Sequence, residues 1–399
     1  MRTPRLILLS FLFLLPFITL AQSGVISGKV TRSLDKSPIA VANVFLSNTT
    51  AGAVTNSNGD FTLANLKPGQ YQLVVSIIGY QDYSQNVLVG SEPIKINIEL
   101  QPKIQQMREV TITTNANWKK NYEQFVRDFI GTDENAKDCV VINPHAVNLS
   151  YHRKTQTLEA YTEDFLVVEN LALGYQIKFL VDTFASDGIT RIISYSGKRL
   201  FSELKGSKRQ QEDWHKRREE AYYGSAMHFY RSLYQDKLQE EGFEMLKFTR
   251  SINPNRPQEE EIIEKRKYFS TDHPQRDSLN HWIDMENMSK YYREFLDRVP
   301  MPTNAVLYRT EQQGVYAVNF TGYYLYVIYT KKREEVDFKD LYRPLDMDNF
   351  ETTVVTLYRP YLFDMNGVVF GNSAPLYEGT WSKSKLSDLL PVDYTPDQP

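Results

Sequence analysis

This 399-residue chain has a single cysteine and six histidines, and those shortages remove several kinds of chemistry at once. No intrachain disulfide can form, even in an oxidising compartment. Cys139 stands in Asp138-Cys139-Val140-Val141-Ile142, an apolar context that suits a packed thiol better than a nucleophile. The histidines are scattered. No His-x-x-Glu or His-Glu-x-x-His occurs, and His281-x-x-Asp284 is a lone pair at helical spacing. A zinc peptidase therefore has no ligand set here. Ser225 lacks a surrounding Gly-x-Ser-x-Gly elbow, and an i,i+3 serine–histidine pair on one helix rarely reaches triad geometry. A formal net charge of −3 leaves no basic footprint for nucleic acid. Internal repeats are absent, and no motif implies a cofactor. The reading leans away from an enzyme.

What is present begins with an export signal. Arg2 and Arg5 precede an almost wholly apolar stretch over residues 6–20, and Thr19-Leu20-Ala21 offers small residues for cleavage. That order predicts a secretory signal peptide over 1–21, with Gln22 as the mature N-terminus. The stretch is short for a membrane span, and no cysteine follows it for acylation. Aromatic residues make up 13% of the chain, with 26 tyrosines. Such a composition suits half-buried β surfaces, binding faces and outer-membrane barrels alike.

Period-2 alternation runs through residues 22–101. Ile26, Gly28 and Val30, then Ala42, Val44 and Leu46, then Tyr71, Leu73, Val75 and Ile77 each share a face. Ile94, Ile96, Ile98 and Leu100 alternate with Lys95, Asn97 and Glu99. Asn56-Ser57-Asn58-Gly59-Asp60 and Lys67-Pro68-Gly69 supply turns. About seven short strands read as an antiparallel sandwich. Asn56, Asn58 and Asp60 have calcium-loop spacing, against which stands a plain hairpin turn with Asx hydrogen bonds.

Ile26-x-Gly28-x-Val30, Pro38-Ile39, Ala42-x-Val44, Asn58-Gly59-x-Phe61, Pro68-Gly69-x-Tyr71 and Ile78-Gly79-Tyr80 resemble the carboxypeptidase regulatory-like domain. The resemblance implies a transthyretin-like β-sandwich of the kind found in envelope proteins of Bacteroidota-type bacteria. It implies an accessory or interaction module, since the domain is not the peptidase. The same domain precedes the plug of many TonB-dependent receptors. The chain after Ile112 is too short for a receptor barrel of about 22 strands at roughly ten residues each plus loops.

A linker is expected over 102–115, then a β-rich α+β domain over 116–390 and a loose tail over 391–399. Trp118, Tyr122, Phe125, Val126 and Phe129 recur at helical spacing, with Gly131 as the stop. Tyr175, Ile177, Phe179 and Val181 alternate with polar neighbours, whereas 323–329 has no polar face and reads as a central strand. Residues 253–261 read as a polar loop. Trp118, Phe125, Phe129-Ile130-Gly131, Asn143-Pro144, Asn170-x-x-Leu173-Gly174-Tyr175 and Gly224-Ser225-x-x-His228-Phe229-x-Arg231-Ser232-Leu233 resemble an uncharacterised family of the same bacteria. Its members pair this region with the regulatory-like domain, which implies a two-domain unit and no particular chemistry. The fold class expected is thus mainly β or α+β, a seven-stranded sandwich followed by a larger β-rich domain with inserted helices.

The best candidate site lies in a helical stretch over 208–237. Trp214, Arg218, Ala221, Tyr222, Ser225, His228, Phe229, Ser232 and Leu233 recur at three and four, so they share one face if the helix is continuous. Arg218, Tyr222, Ser225, His228 and Ser232 form its polar part. Read as a pocket, Arg218 holds an anion and His228 relays protons. Read as structure, the same groups tie helix to sheet, with Arg218 stacked on Trp214 or Tyr222. Gly224 marks a break or a close approach. The functional expectation is an exported, periplasmic or outer-membrane-associated protein that binds envelope proteins or a glycan. The sandwich's edge strands could receive a partner strand. Membrane association would involve no transmembrane helix once the signal is removed. The alternatives are an envelope hydrolase using the 214–233 face and a small outer-membrane barrel.

Overall fold

The computed structural model describes residues 24–103, 115–153, 155–335, 341–370 and 374–397. The expected signal segment and most of the expected linker lie outside the described residues.

The alternating N-terminal segment forms seven strands in two sheets. Asp60–Leu66, Gly24–Arg32 and Ile94–Leu100 make one, and Gly52–Val54, Asn43–Leu46, Gly69–Ser76 and Tyr83–Val89 make the other. Ile26, Val30, Val44, Leu46, Leu73, Val75, Ile98 and Leu100 close the core between them. Gly24–Arg32 and Ile94–Leu100 pair in parallel, a departure from the all-antiparallel expectation. The chain crosses to the opposite sheet between these two strands, as a parallel pair requires.

One sheet of this sandwich is covered on both faces. Phe45 and Val74, out of phase with the core residues, pack against Phe165, Leu180 and Leu200 of the larger domain. Asn48 N donates to Arg199 O at 2.7 Å, and Arg199 Nε returns a bond to Asn48 Oδ1 at 2.8 Å. The sandwich is therefore seated on the larger domain through its own sheet.

In the larger domain, six strands form a sheet around Tyr175–Asp187, which pairs with Thr157–Thr162, Leu166–Asn170 and Ile193–Glu203. Tyr175, Ile177, Phe179 and Val181 face inward as their spacing predicts, and they pack with Phe125 and Phe129 of the helix Asn115–Phe129. That helix ends at Gly131, whose φ is +116°. A five-stranded sheet runs Tyr291–Asp297, Phe243–Ile252, Tyr324–Arg333, Phe350–Thr356, Leu376–Gly379. Its central strand is the run without a polar face. Leu325 and Val327 enter one core cluster, and Tyr326 and Ile328 enter another.

Three expectations are corrected. The polar loop expected over 253–261 holds only to residue 258, where the helix Glu259–Lys267 takes over, paired with a second helix, Arg276–Asn287. Glu259, Glu260 and Glu261 open the first of these and Lys265, Arg266 and Lys267 close it, an order that suits the helix dipole. The tail is docked over residues 391–397. Val392 packs into the sandwich core, and Arg231 donates to Val392 O at 2.8 Å and Tyr394 O at 3.1 Å. The barrel alternative also falls. Among the described residues the strands divide into five open sheets, none closed on itself. Their apolar faces are spent on inner clusters rather than turned outward.

Candidate functional site

The helical stretch is not one continuous helix. Ser207 and Gln210 form a capping box that starts Lys208–Tyr222. The chain then turns at Gly224, and Ser225 caps a second helix, Ala226–Tyr234. Gly224 has φ +87°, and a Cβ there would come within 2.7 Å of Glu351 Oε2 and 2.8 Å of Tyr329. Both meanings of this glycine, the break and the close approach, apply together. The break corrects the single shared face, because residues before and after Gly224 no longer keep one helical phase.

Before the break, Trp214 and Arg218 face the loop at 170–174. Trp214 Nε1 donates to Leu171 O at 2.8 Å. Gly174, at φ +70°, lies so close to this indole that a Cβ would come within 2.2 Å of it. Arg218 Nε donates to Leu173 O at 2.7 Å, and its Nη1 pairs with Glu203 at 2.9 Å. Its guanidinium stacks 3.9 Å from the centroid of Tyr175, rather than on Trp214 or Tyr222. Asn170, fully buried, closes the loop by accepting from Leu173 N and donating to Ser387 O. The spacing Asn170-x-x-Leu173-Gly174-Tyr175 is thus the receiving surface for the helix.

Past the break, His228 is 2% exposed. Its Nδ1 accepts from Gly224 N at 3.2 Å, so the proton sits on Nε2, which faces Glu241 Oε2 at 3.1 Å. Burial holds the imidazole below its ordinary pKa, with Glu241 pulling the other way. The rings of Tyr222, Tyr223, Phe243 and Tyr329 surround it. Ser225 Oγ accepts from His228 N at 3.2 Å, and Ser232 Oγ donates to His228 O at 2.7 Å. Both hydroxyls are spent on helix backbone, one as a cap and one as a back-bond. Trp381 Nε1 completes the junction by donating to Gly224 O at 2.8 Å. Phe229 and Leu233 enter the core below it.

The structure therefore brings Tyr222, Ser225, His228 and Ser232 together around Gly224 and sets Arg218 to a different task. Sequence reasoning missed Glu241, Trp381 and the tail's anchor on Arg231, all distant in sequence. The Ser207–Gln210 box was the one local signal available. At the other candidate, Asn56 Oδ1 accepts from Asn58 N and Asp60 N, both at 2.9 Å. That is an Asx turn, and it uses the oxygen a calcium ion would need. No group of three or more His, Cys, Asp or Glu side chains suited to a metal occurs among the described residues. Burial pushes the Cys139 thiol up to about 12, as expected of a packed cysteine. A cleft of about 360 Å³ opens on the sandwich, lined by Thr49, Thr62, Leu66, Lys67, Tyr71 and Asp393.

Residues 26–112 match the family model of the CarboxypepD_reg-like domain, so the N-terminal module is of that kind. No curated protein matches the chain. Among solved structures, the pilus 2b backbone protein of group B streptococcus shares 22% identity over 21% of this chain and 42% of that one, with a TM-score of 0.18. BcpA, the major pilin subunit of Bacillus cereus, shares 17% over 21% and 31%, with a TM-score of 0.17. The 3-chlorocatechol 1,2-dioxygenase of Rhodococcus opacus shares 10% over 20% and 60%, with a TM-score of 0.17. The chain thus spans less than two thirds of the length of each of these structures.

Proposed function

We propose that this protein is exported to a Gram-negative envelope, in the periplasm or at the outer membrane, and works there by binding an envelope protein or a glycan. The observation that carries this reading is the use of polar side chains around Gly224. Arg218, Ser225, His228 and Ser232 each have a partner within the chain, which leaves no free nucleophile–base pair for a hydrolase on this face. An accessory module at residues 26–112 supports binding as well. The sandwich cleft, lined by hydroxyls, an ammonium and a carboxylate, is of a size that takes a sugar unit.

The test is in-cell crosslinking of the tagged full chain, followed by identification of what copurifies from the envelope fraction. A discrete envelope protein or glycan is expected. Recovery of the chain uncrosslinked from intact cells would contradict the reading.

A further inference from the structure

The strand Tyr291–Asp297 ends the five-stranded sheet, and its one partner among the described strands is Phe243–Ile252. Among the described residues no strand pairs with its outer edge, and an edge strand left open in this way can receive another. Large apolar side chains gather along this edge in the open. Tyr292 is 65% exposed and Phe295 56%. Ile252, at the end of the neighbouring strand, and Val299, just beyond the edge strand, are exposed as well. Leu345 is exposed too, next to Asp346, which Arg298 holds in a two-pronged ion pair. Exposed aromatic side chains on both faces of an open edge strand suit an interaction surface.

We propose that two copies of the chain join here, the strand 291–297 pairing antiparallel with its own copy about a two-fold axis at Phe295. The charges along the strand select this occupant. With the axis at Phe295, each Arg293 lies opposite the partner's Asp297, so two opposite-charge pairs flank a central phenylalanine pair. Tyr292 then lies opposite the partner's Arg298, an aromatic ring against a guanidinium. Two other registers bring like charges together. An axis at Glu294 sets that carboxylate against its own copy. An axis between Phe295 and Leu296 sets Arg293 against the partner's Arg298 and Glu294 against the partner's Asp297. Glu294 is already held on its own sheet by Arg250, at 3.3 Å. Charges of both signs along an edge strand also discourage pairing with an arbitrary strand.

The test uses sedimentation of the purified mature chain together with two charge reversals, Arg293→Asp and Asp297→Arg. Both positions lie on the edge strand away from the core, and thermal melts confirm that each variant is folded. At about 100 μM, where a weak edge contact is populated, the unaltered chain is expected to sediment as a dimer. Either reversal alone places like charges opposite each other at both pairs and should raise Kd at least about tenfold. An equimolar mixture of the two variants restores opposite charges at both pairs and should recover the dimer. A monomeric unaltered chain, single variants that dimerise normally, or a mixture that stays monomeric would each overturn the proposal. The experiment needs no envelope partner, so its failure is distinct from failure of the binding function proposed above.

Discussion

The sandwich core and the Gly224 junction are both buried, yet they are held by different means. In the sandwich, aliphatic side chains at alternate positions meet across two sheets, and Leu73, Val44 and Val75 are fully buried without a polar partner to find. At the junction the buried groups include an imidazole, an indole, a serine hydroxyl and a glycine, and hydrogen bonds join them to distant backbone. Apolar burial is forgiving of detail, because one methyl replaces another at modest cost. A buried polar network is not, since losing one partner strands the other.

That contrast can be tested by substitution. Gly224→Ala should be the most damaging single change, because φ +87° is strained for alanine and the added Cβ meets Glu351 and Tyr329. A loss of about 3–4 kcal/mol in urea unfolding is expected. Arg231→Ala should come next, at about 2–3 kcal/mol, because it strands the carbonyls of Asn366, Val392 and Tyr394. Limited proteolysis of that variant should cut first within 391–397, where the undisturbed chain resists. Were either change neutral, the junction would be as forgiving as the sandwich.

Much of the fold was legible because period-2 and period-3.6 patterns report burial directly. The sandwich strands, the helix stopping at Gly131 and the central strand marked by the run over 323–329 all follow from side-chain spacing. Phe45 and Val74 carried a signal that went unread: apolar residues on the outward phase of a strand mean a second covered face. The docked tail was illegible because polar residues flank Val392, and its anchor, Arg231, lies far away in sequence. At the candidate site, spacing picked out the buried polar residues but not their tasks. Hydrogen-bond partners such as Leu173 O and Gly224 N are backbone atoms, and composition does not encode them.

The most direct test of the structural role of the junction is the thermal stability of the unaltered chain and of His228→Gln between pH 5 and 8. A histidine whose pKa is lowered in the folded state adds stability above its unfolded pKa of about 6.5 and loses it as pH falls. The variant should therefore melt lower at pH 7.5, by roughly 1–2 kcal/mol of stability. The gap between the two curves should then narrow as pH falls below about 6.5. Equal melting temperatures and equal pH slopes would contradict the account, and would mark His228 as a group kept for something other than holding the fold.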